Sequence, residues 1–144
     1  MENIESKQGK IEASAETVYN FISDLRNLDS LIPEDKVQDW KSAEDSCSFS
    51  VPQAGSVQLK LTKKEPFKLI KVEPEGSGPM GMGFALFIQM KEIDASDTRI
   101  KLTFRAEMNF MIKSMISGPL KKALDQVIDS VGNINLSNIQ ESNQ

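Results

Sequence analysis

The strongest constraint on this 144-residue chain is an alternation of apolar and polar residues that recurs between residues 46 and 110. It is clearest over 98–110, where the apolar alternate positions are Ile100, Leu102, Phe104, Ala106, Met108 and Phe110. The residues between them are polar or charged, so one face of the segment is apolar and the other faces water. This pattern predicts an antiparallel sheet that is covered on one side only.

Four earlier segments show the same two-residue period or the composition of a strand. They span residues 46–51, 57–62, 67–73 and 84–93. A turn signal at 52–56 separates the first two, and Ala95-Ser96-Asp97 precedes the last strand. Residues 3–12 read as a weaker, polar strand near an edge of the sheet. The order predicted is one strand, two short helices, about six strands and a long helix.

Ala13-Ser14-Ala15-Glu16 has the composition of a helix start, since Ser14 can accept hydrogen bonds from amides of the first turn. Glu16 then lies near the positive end of the helix dipole. The apolar face of this helix and of a second short helix is formed by Val18, Phe21, Ile22, Leu25, Leu28, Leu31 and Ile32. Pro33 is expected to end the second helix.

The last element runs from about Met111 to Asn133. Its apolar stripe consists of Ile116, Leu120, Ala123, Leu124, Val127, Ile128 and Val131. Pro119 is expected to kink this helix or to divide it, because proline lacks an amide. A one-sided sheet must bury its apolar face, and only this helix is long enough to cover it. The chain is therefore predicted to be α+β, with a single domain over 1–134 and a polar, frayed tail over 135–144.

The segment Gly9–Asp24, GKIEASAETVYNFISD, resembles the opening of the START-like, or SRPBCC, superfamily. In that superfamily a strand runs into a helix start of the form A-S/P-x-E-x-V-[WY]. The resemblance implies the helix-grip fold, a seven-stranded antiparallel sheet wrapped around a long C-terminal helix. Two short helices lie between strands 1 and 2 of that fold. The carbon-monoxide-dehydrogenase, ubiquinone-chaperone and polyketide-cyclase branches of the superfamily are similar in layout.

The same resemblance implies a ligand cavity between the concave face of the sheet and the last helix. Strand parity assigns to its lining Phe49, Val51, Leu59, Leu61, Phe84, Leu86, Ile88, Met90, Leu102, Phe104 and Met108. Met111, Met115 and Ile116 are expected to line it from the helix, Met82 from the glycine-rich loop, and Trp40 at the rim.

Six of the seven methionines lie between residues 80 and 115. Methionine is flexible and polarizable, and it adapts to varied apolar partners. We interpret this cluster as an adaptable cavity lining; the alternative is an ordinary core with no cavity left. The glycine-rich segment 76–83 lacks the lysine-serine ending of a phosphate loop. It is interpreted as a gate at the cavity mouth, or alternatively as a flexible hairpin.

Composition excludes several kinds of chemistry. The chain has no histidine, so it cannot build a Ser-His-Asp triad or a histidine-containing metal site. Cys47 is the only cysteine and lies at an apolar position, which favours a buried structural thiol. We predict no catalytic, cofactor-binding or metal-ligating residues and no cofactor. Any catalysis would depend on Asp, Glu, Lys or Tyr, or on a borrowed cofactor.

Charge and hydropathy indicate where the protein works and what it meets. A net charge of -4 argues against a nucleic-acid partner. The N-terminus lacks the pattern of a signal peptide, no apolar run could span a membrane, and one cysteine suits a reducing compartment, so a cytoplasmic protein is predicted. The basic residues Lys60, Lys64, Lys71, Lys91, Lys101 and Arg105 are assigned to the outer face of the sheet. That face is expected to be solvated, with weak contact to an anionic membrane surface as the alternative.

The sequence thus favours a non-enzymatic protein that binds or transports a small hydrophobic molecule, such as a lipid or quinone. Two alternatives stay open. One is a cyclase, dehydratase or hydrolase that uses the same cavity and directs a carboxylate into it near Trp40 or Tyr19. The other is an accessory protein that binds a partner protein, as yet unknown, through an exposed apolar patch at Met80, Met82, Met111 and Met115.

Overall fold

The computed structural model describes residues 2–32, 37–51, 55–76 and 83–133, with only the backbone of Val51. The strands are β1 (Glu2–Glu5), β2 (Gly9–Ile11), β3 (Gln38–Ser42), β4 (Ser46–Val51), β5 (Gly55–Glu65), β6 (Leu69–Pro74), β7 (Phe84–Asp94) and β8 (Asp97–Ala106). The helices are α1 (Ala15–Ile22), a 3-10 helix (Leu25–Leu28) and α2 (Phe110–Gly132). The predicted α+β fold, with its large antiparallel sheet and long C-terminal helix, is confirmed.

All the strands join in one antiparallel sheet. Its order is β1-β8-β7-β6-β5-β4-β3, and β2 pairs with β8 beside β1. The single first strand predicted over 3–12 is thus two short strands on the same edge. Ser6 marks the break, because its amide donates to the Leu102 carbonyl while its hydroxyl accepts from the Leu102 amide. With β1 and β2 counted as one interrupted strand, the sheet has the seven positions expected.

The helix start at Ser14 is confirmed, since the Ser14 hydroxyl accepts from the Thr17 amide at 3.2 Å. The buried side chains of α1 are Ala15, Val18, Phe21 and Ile22. The Glu92 carboxylate at the end of β7 accepts from the Ala15 amide at 2.9 Å, which fixes α1 against that end of the sheet. The second short helix is a 3-10 helix that ends at Leu28, and Pro33 lies outside the described residues.

Two predicted strand boundaries are wrong. The strand predicted to begin at Phe67 begins at Leu69, because Phe67 has a φ of +67° in the turn before β6. The strand predicted to continue to Phe110 ends at Ala106. Asn109 instead caps α2, its side chain accepting from the Ile112 amide at 2.9 Å. Phe110 therefore begins a helix and is 86% exposed.

The core lies between the concave face of the sheet and the two helices. Side chains of α1 cover one end of the strands, and α2 makes its main contacts with β1, β2 and β8. α2 is continuous from Phe110 to Gly132, with Pro119 inside it rather than at a division. The turn at 52–54, most of the 76–83 segment and the tail at 135–144 lie outside the described residues.

Candidate functional site

The register of the sheet brings the predicted strand residues to one face. Val72 of β6 lies opposite Leu61 of β5 on one side and opposite Leu86 of β7 on the other. Leu86 in turn pairs with Phe104 of β8. Because directly paired residues share a face, these side chains form one continuous apolar surface. It faces the helices and is the candidate site.

Burial divides this concave surface into two regions. The predicted residues that are buried are Leu59, Leu61, Ile88, Met90, Leu102 and Phe104. Those that are half-buried and pack at the margin of the core are Trp40, Phe49, Phe84, Leu86, Met108 and Ile116. The side chain of Val51 and all of Met82 lie outside the described residues. The half-buried set marks the part of the sheet that the described chain covers incompletely.

The reason lies in how α2 sits on the sheet. Its buried residues are Leu124, Ile128 and Val131, all in its C-terminal half. From 110 to 123 its side chains are half-buried or exposed, and Met111 and Met115 are 71% and 63% exposed. The first half of α2 therefore covers the sheet loosely, while the second half is anchored to it.

Two aromatic pairs line the half-covered region. Phe84 stacks on Phe104 with ring centroids 4.9 Å apart, and Trp40 stacks on Phe49 at 5.8 Å. Offset stacking of this kind keeps flat rings in a fixed orientation. The site consequently has rigid aromatic walls on the sheet and a flexible methionine-bearing wall on the helix.

A carboxylate that the sequence did not single out lies beside Trp40. One oxygen of Asp29, at the end of the 3-10 helix, accepts from Trp40 Nε1 at 2.5 Å and from Ser42 Oγ at 2.6 Å. These two hydrogen bonds hold the pKa of the Asp29 carboxyl below its ordinary value. Asp29 is exposed and ionised at neutral pH, so it orients the Trp40 ring rather than acting as a proton donor. No periodicity distinguishes it from other turn aspartates.

Ionisable groups contribute little to the concave face. Burial raises the pKa of the Cys47 thiol to about 11, which makes it unreactive at neutral pH. Glu92 shares that face but its carboxylate accepts from the start of α1. Among the residues the structure describes, no three Cys, Asp or Glu side chains are grouped as a metal site. The chemistry that the site offers is apolar contact.

Two depressions of the described surface lie elsewhere. One of about 540 Å³ lies between β2 and the end of α2, and one of about 300 Å³ lies on the outer face of the sheet. Neither enters the half-covered region between Leu86 and Ile116. No helix in the described ranges has the length and hydropathy needed to cross a bilayer.

Comparison with solved structures finds many matches to this fold. The Aha1 dimer structure from Colwellia psychrerythraea is 19% identical and covers 92% of this chain and 98% of its own, with a TM-score of 0.64. A START superfamily protein from Mycobacterium smegmatis is 14% identical, covers 90% and 98%, and has a TM-score of 0.62. A norcoclaurine synthase point mutant from Thalictrum flavum, solved with a transition-state analogue, is 15% identical, covers 99% and 96%, and scores 0.67.

Neither the known protein-family models nor the curated proteins contain a match to this sequence. Identities below a fifth leave the fold as the shared property. Each of these structural matches covers nine-tenths or more of the chain, so the likeness includes both the sheet and the long last helix. The chain has the START-like, or SRPBCC, fold that its opening segment predicts.

Proposed function

We propose that this protein binds a small hydrophobic molecule, such as a lipid or a quinone, between the concave face of its sheet and the first half of α2. The observation that carries the proposal is the uneven covering of one apolar surface. Under the second half of α2 that surface is buried, whereas Phe49, Phe84 and Leu86 beside the first half are only half-buried.

Apolar surface left open in this way favours a ligand. Each Å² of apolar area removed from water contributes about 25 cal/mol, and the aromatic pairs present wide flat surfaces for contact. Large exposed apolar patches on soluble proteins commonly mark binding sites. The proposed lining comprises the predicted set on strands β3, β4, β5, β7 and β8, the linker residue Met108, and Met111, Met115 and Ile116 of α2. Val51 and Met82 belong to the proposal on sequence alone.

Entry and release would require the first half of α2 to move away from the sheet. This half has the properties of such a gate, since it carries no buried side chain from 110 to 123. Pro119 also leaves the Met115 carbonyl without its usual helical donor. The loop at 76–83, with Met80 and Met82, is the second proposed part of the gate.

The first experiment is native mass spectrometry of the purified protein, followed by extraction and identification of any adduct. Titration with palmitate and with a short-chain ubiquinone then measures affinity. Trp40 is the only tryptophan, so its fluorescence reports binding at the rim. The proposal expects an adduct or a saturable change in fluorescence. Neither adduct, fluorescence change nor thermal stabilisation with either probe would contradict it.

A matched pair of variants tests the location. Leu86 lies on the concave face of β7, and its neighbour Phe87 lies on the outer face. Burying a leucine side chain contributes about 1.5–3 kcal/mol, so Leu86→Gln should weaken binding by roughly tenfold or more. Phe87→Gln should leave the affinity unchanged. Equal losses in both variants would contradict a site on the concave face.

A second function, binding of a partner protein, is favoured by one observation. Phe110, Met111 and Met115 form an exposed apolar patch on the first two turns of α2. In that case Met111→Glu with Met115→Glu would abolish capture of the partner, while Leu86→Gln would not. In the ligand-binding case Leu86→Gln has the larger effect, so the same variants distinguish the two functions.

A further inference from the structure

The outer face of the sheet is basic although the whole chain is acidic. Register assigns to that face the cations Lys10, Lys41, Lys60, Lys63, Lys71, Lys91, Arg99, Lys101 and Arg105. The carboxylates on the same face are Glu5, Glu65, Glu73 and Asp97. Lys64, predicted to lie here, pairs with buried Ile70 instead, because a bulge after Leu61 exchanges the two faces. Cations therefore outnumber carboxylates on this surface.

Three cations meet directly across three adjacent strands of this face. Arg99 of β8 lies between Lys91 of β7 and Lys10 of β2, each directly opposite it. Like charges in directly opposed positions destabilise a sheet. Asp97 neutralises Arg99, with Nε to Oδ1 at 2.8 Å and Nη2 to Oδ2 at 3.1 Å, and Lys10 also helps to lower the pKa of that carboxyl. One carboxylate thus serves three cations, and the row retains unbalanced positive charge.

A depression of about 300 Å³ adjoins this row. It forms beside residues 6–8, where the edge strand is interrupted between β1 and β2. Its polar lining consists of Gln8, Gln89, Lys91, Arg99 and Lys101. Gln89 Oε1 accepts from Thr103 Oγ1 at 2.9 Å, which leaves the Gln89 amide group to donate. Lys101 uses one of its donors on Glu5 at 3.0 Å.

From this arrangement we propose that the depression binds a phosphate group, carried by a soluble phosphorylated molecule or by a lipid headgroup. Its lining supplies ammonium, guanidinium and amide donors, which suit the oxygens of a phosphate monoester. A dianion would balance the charge that Asp97 and Glu5 leave uncompensated. This site lies on the opposite face of the sheet from the proposed hydrophobic site and does not depend on it.

The test follows amide chemical shifts of the ¹⁵N-labelled protein at low ionic strength while phenyl phosphate is added. The expected result is saturable shifts at Gln8, Gln89–Lys91 and Arg99–Lys101, which weaken as salt is added. Lys91→Gln with Lys101→Gln should weaken binding roughly threefold to tenfold, since each removes a charge-assisted hydrogen bond. Both residues are on the surface, and circular dichroism checks that the variant is folded.

Lys60→Gln is the matched control, because Lys60 is on the same face but on β5, two strands beyond β7. It should leave phosphate affinity unchanged. Shifts spread evenly over the basic face, equal losses in the two variants, or no shifts at all would overturn the proposal. Sedimentation with phosphatidylcholine vesicles, with and without phosphatidic acid, identifies the source. Binding only with phosphatidic acid indicates a lipid headgroup, and phenyl phosphate binding without vesicle binding indicates a soluble ligand.

Discussion

Cys47 illustrates how the apolar interior controls a single side chain. It lies on the concave face of β4, opposite Leu59, and its side chain is buried. Desolvation disfavours the thiolate and raises the pKa of the thiol from 9.0 to about 11. The apolar parity of this position predicts a buried structural thiol, and the structure agrees.

This pKa shift predicts slow thiol chemistry. At pH 8 the folded protein should react with a disulfide reagent about a hundredfold more slowly than the protein unfolded in urea, since two pKa units reduce the thiolate population by that factor. Because the folded state holds this proton more tightly, the associated stability is complete below pH 9 and is lost as pH rises towards 11. A Cys47→Ala variant should lack that alkaline loss. Equal reaction rates in the folded and unfolded protein would contradict the predicted shift.

At the scale of elements, the contact between β2 and α2 depends on the absence of one side chain. A Cβ atom on Gly9 would lie 2.5 Å from Ile128 Cγ2 and 3.3 Å from Ile100 Cγ2. Ile128 is β-branched and buried, so it has little freedom to move. Gly9 therefore allows the second half of α2 to approach the edge of the sheet closely.

Gly9→Ala should accordingly lower the free energy of unfolding by about 1–3 kcal/mol, the usual cost of overpacking a core. Urea denaturation measures the change. Gly83→Ala is the control, because a Cβ there meets nothing within 4 Å, and it should stay within about 0.5 kcal/mol of the parent. In combination with Ile128→Ala the Gly9→Ala loss should shrink, since the clashing group is gone. Additive losses would show that the two residues do not interact.

Boundaries of elements are predicted less well than their existence. Alternation identifies the long strands, but it cannot show that Asn109 caps a helix, because Met108 and Phe110 continue the two-residue period. The break at Ser6 escapes prediction for a related reason. A serine that bonds the backbone of the neighbouring strand has the same sequence signature as an exposed one. Such outcomes depend on tertiary partners, which local pattern does not contain.

The candidate site is a property of the whole molecule. Strand parity alone assigns Leu86 and Phe104 to the concave face, and the register agrees. Parity could not show that Leu86 would be half-buried and Phe104 buried, since that depends on where α2 crosses the sheet. Nor could it identify Asp29, which reaches Trp40 only through the packing of the 3-10 helix against β3.

The anchoring of α2 predicts uneven dynamics along one continuous helix. Amides of residues 113–118 should exchange with deuterium at least roughly tenfold faster than those of 124–131, because only the second half carries buried side chains. Pro119→Ala, which restores the missing amide, separates the two possible causes. It should raise protection in the first half without removing the difference, since Met111 and Met115 remain exposed. Uniform protection along α2, or its full restoration by Pro119→Ala, would mean that loose packing on the sheet is not what frees this half to act as a gate.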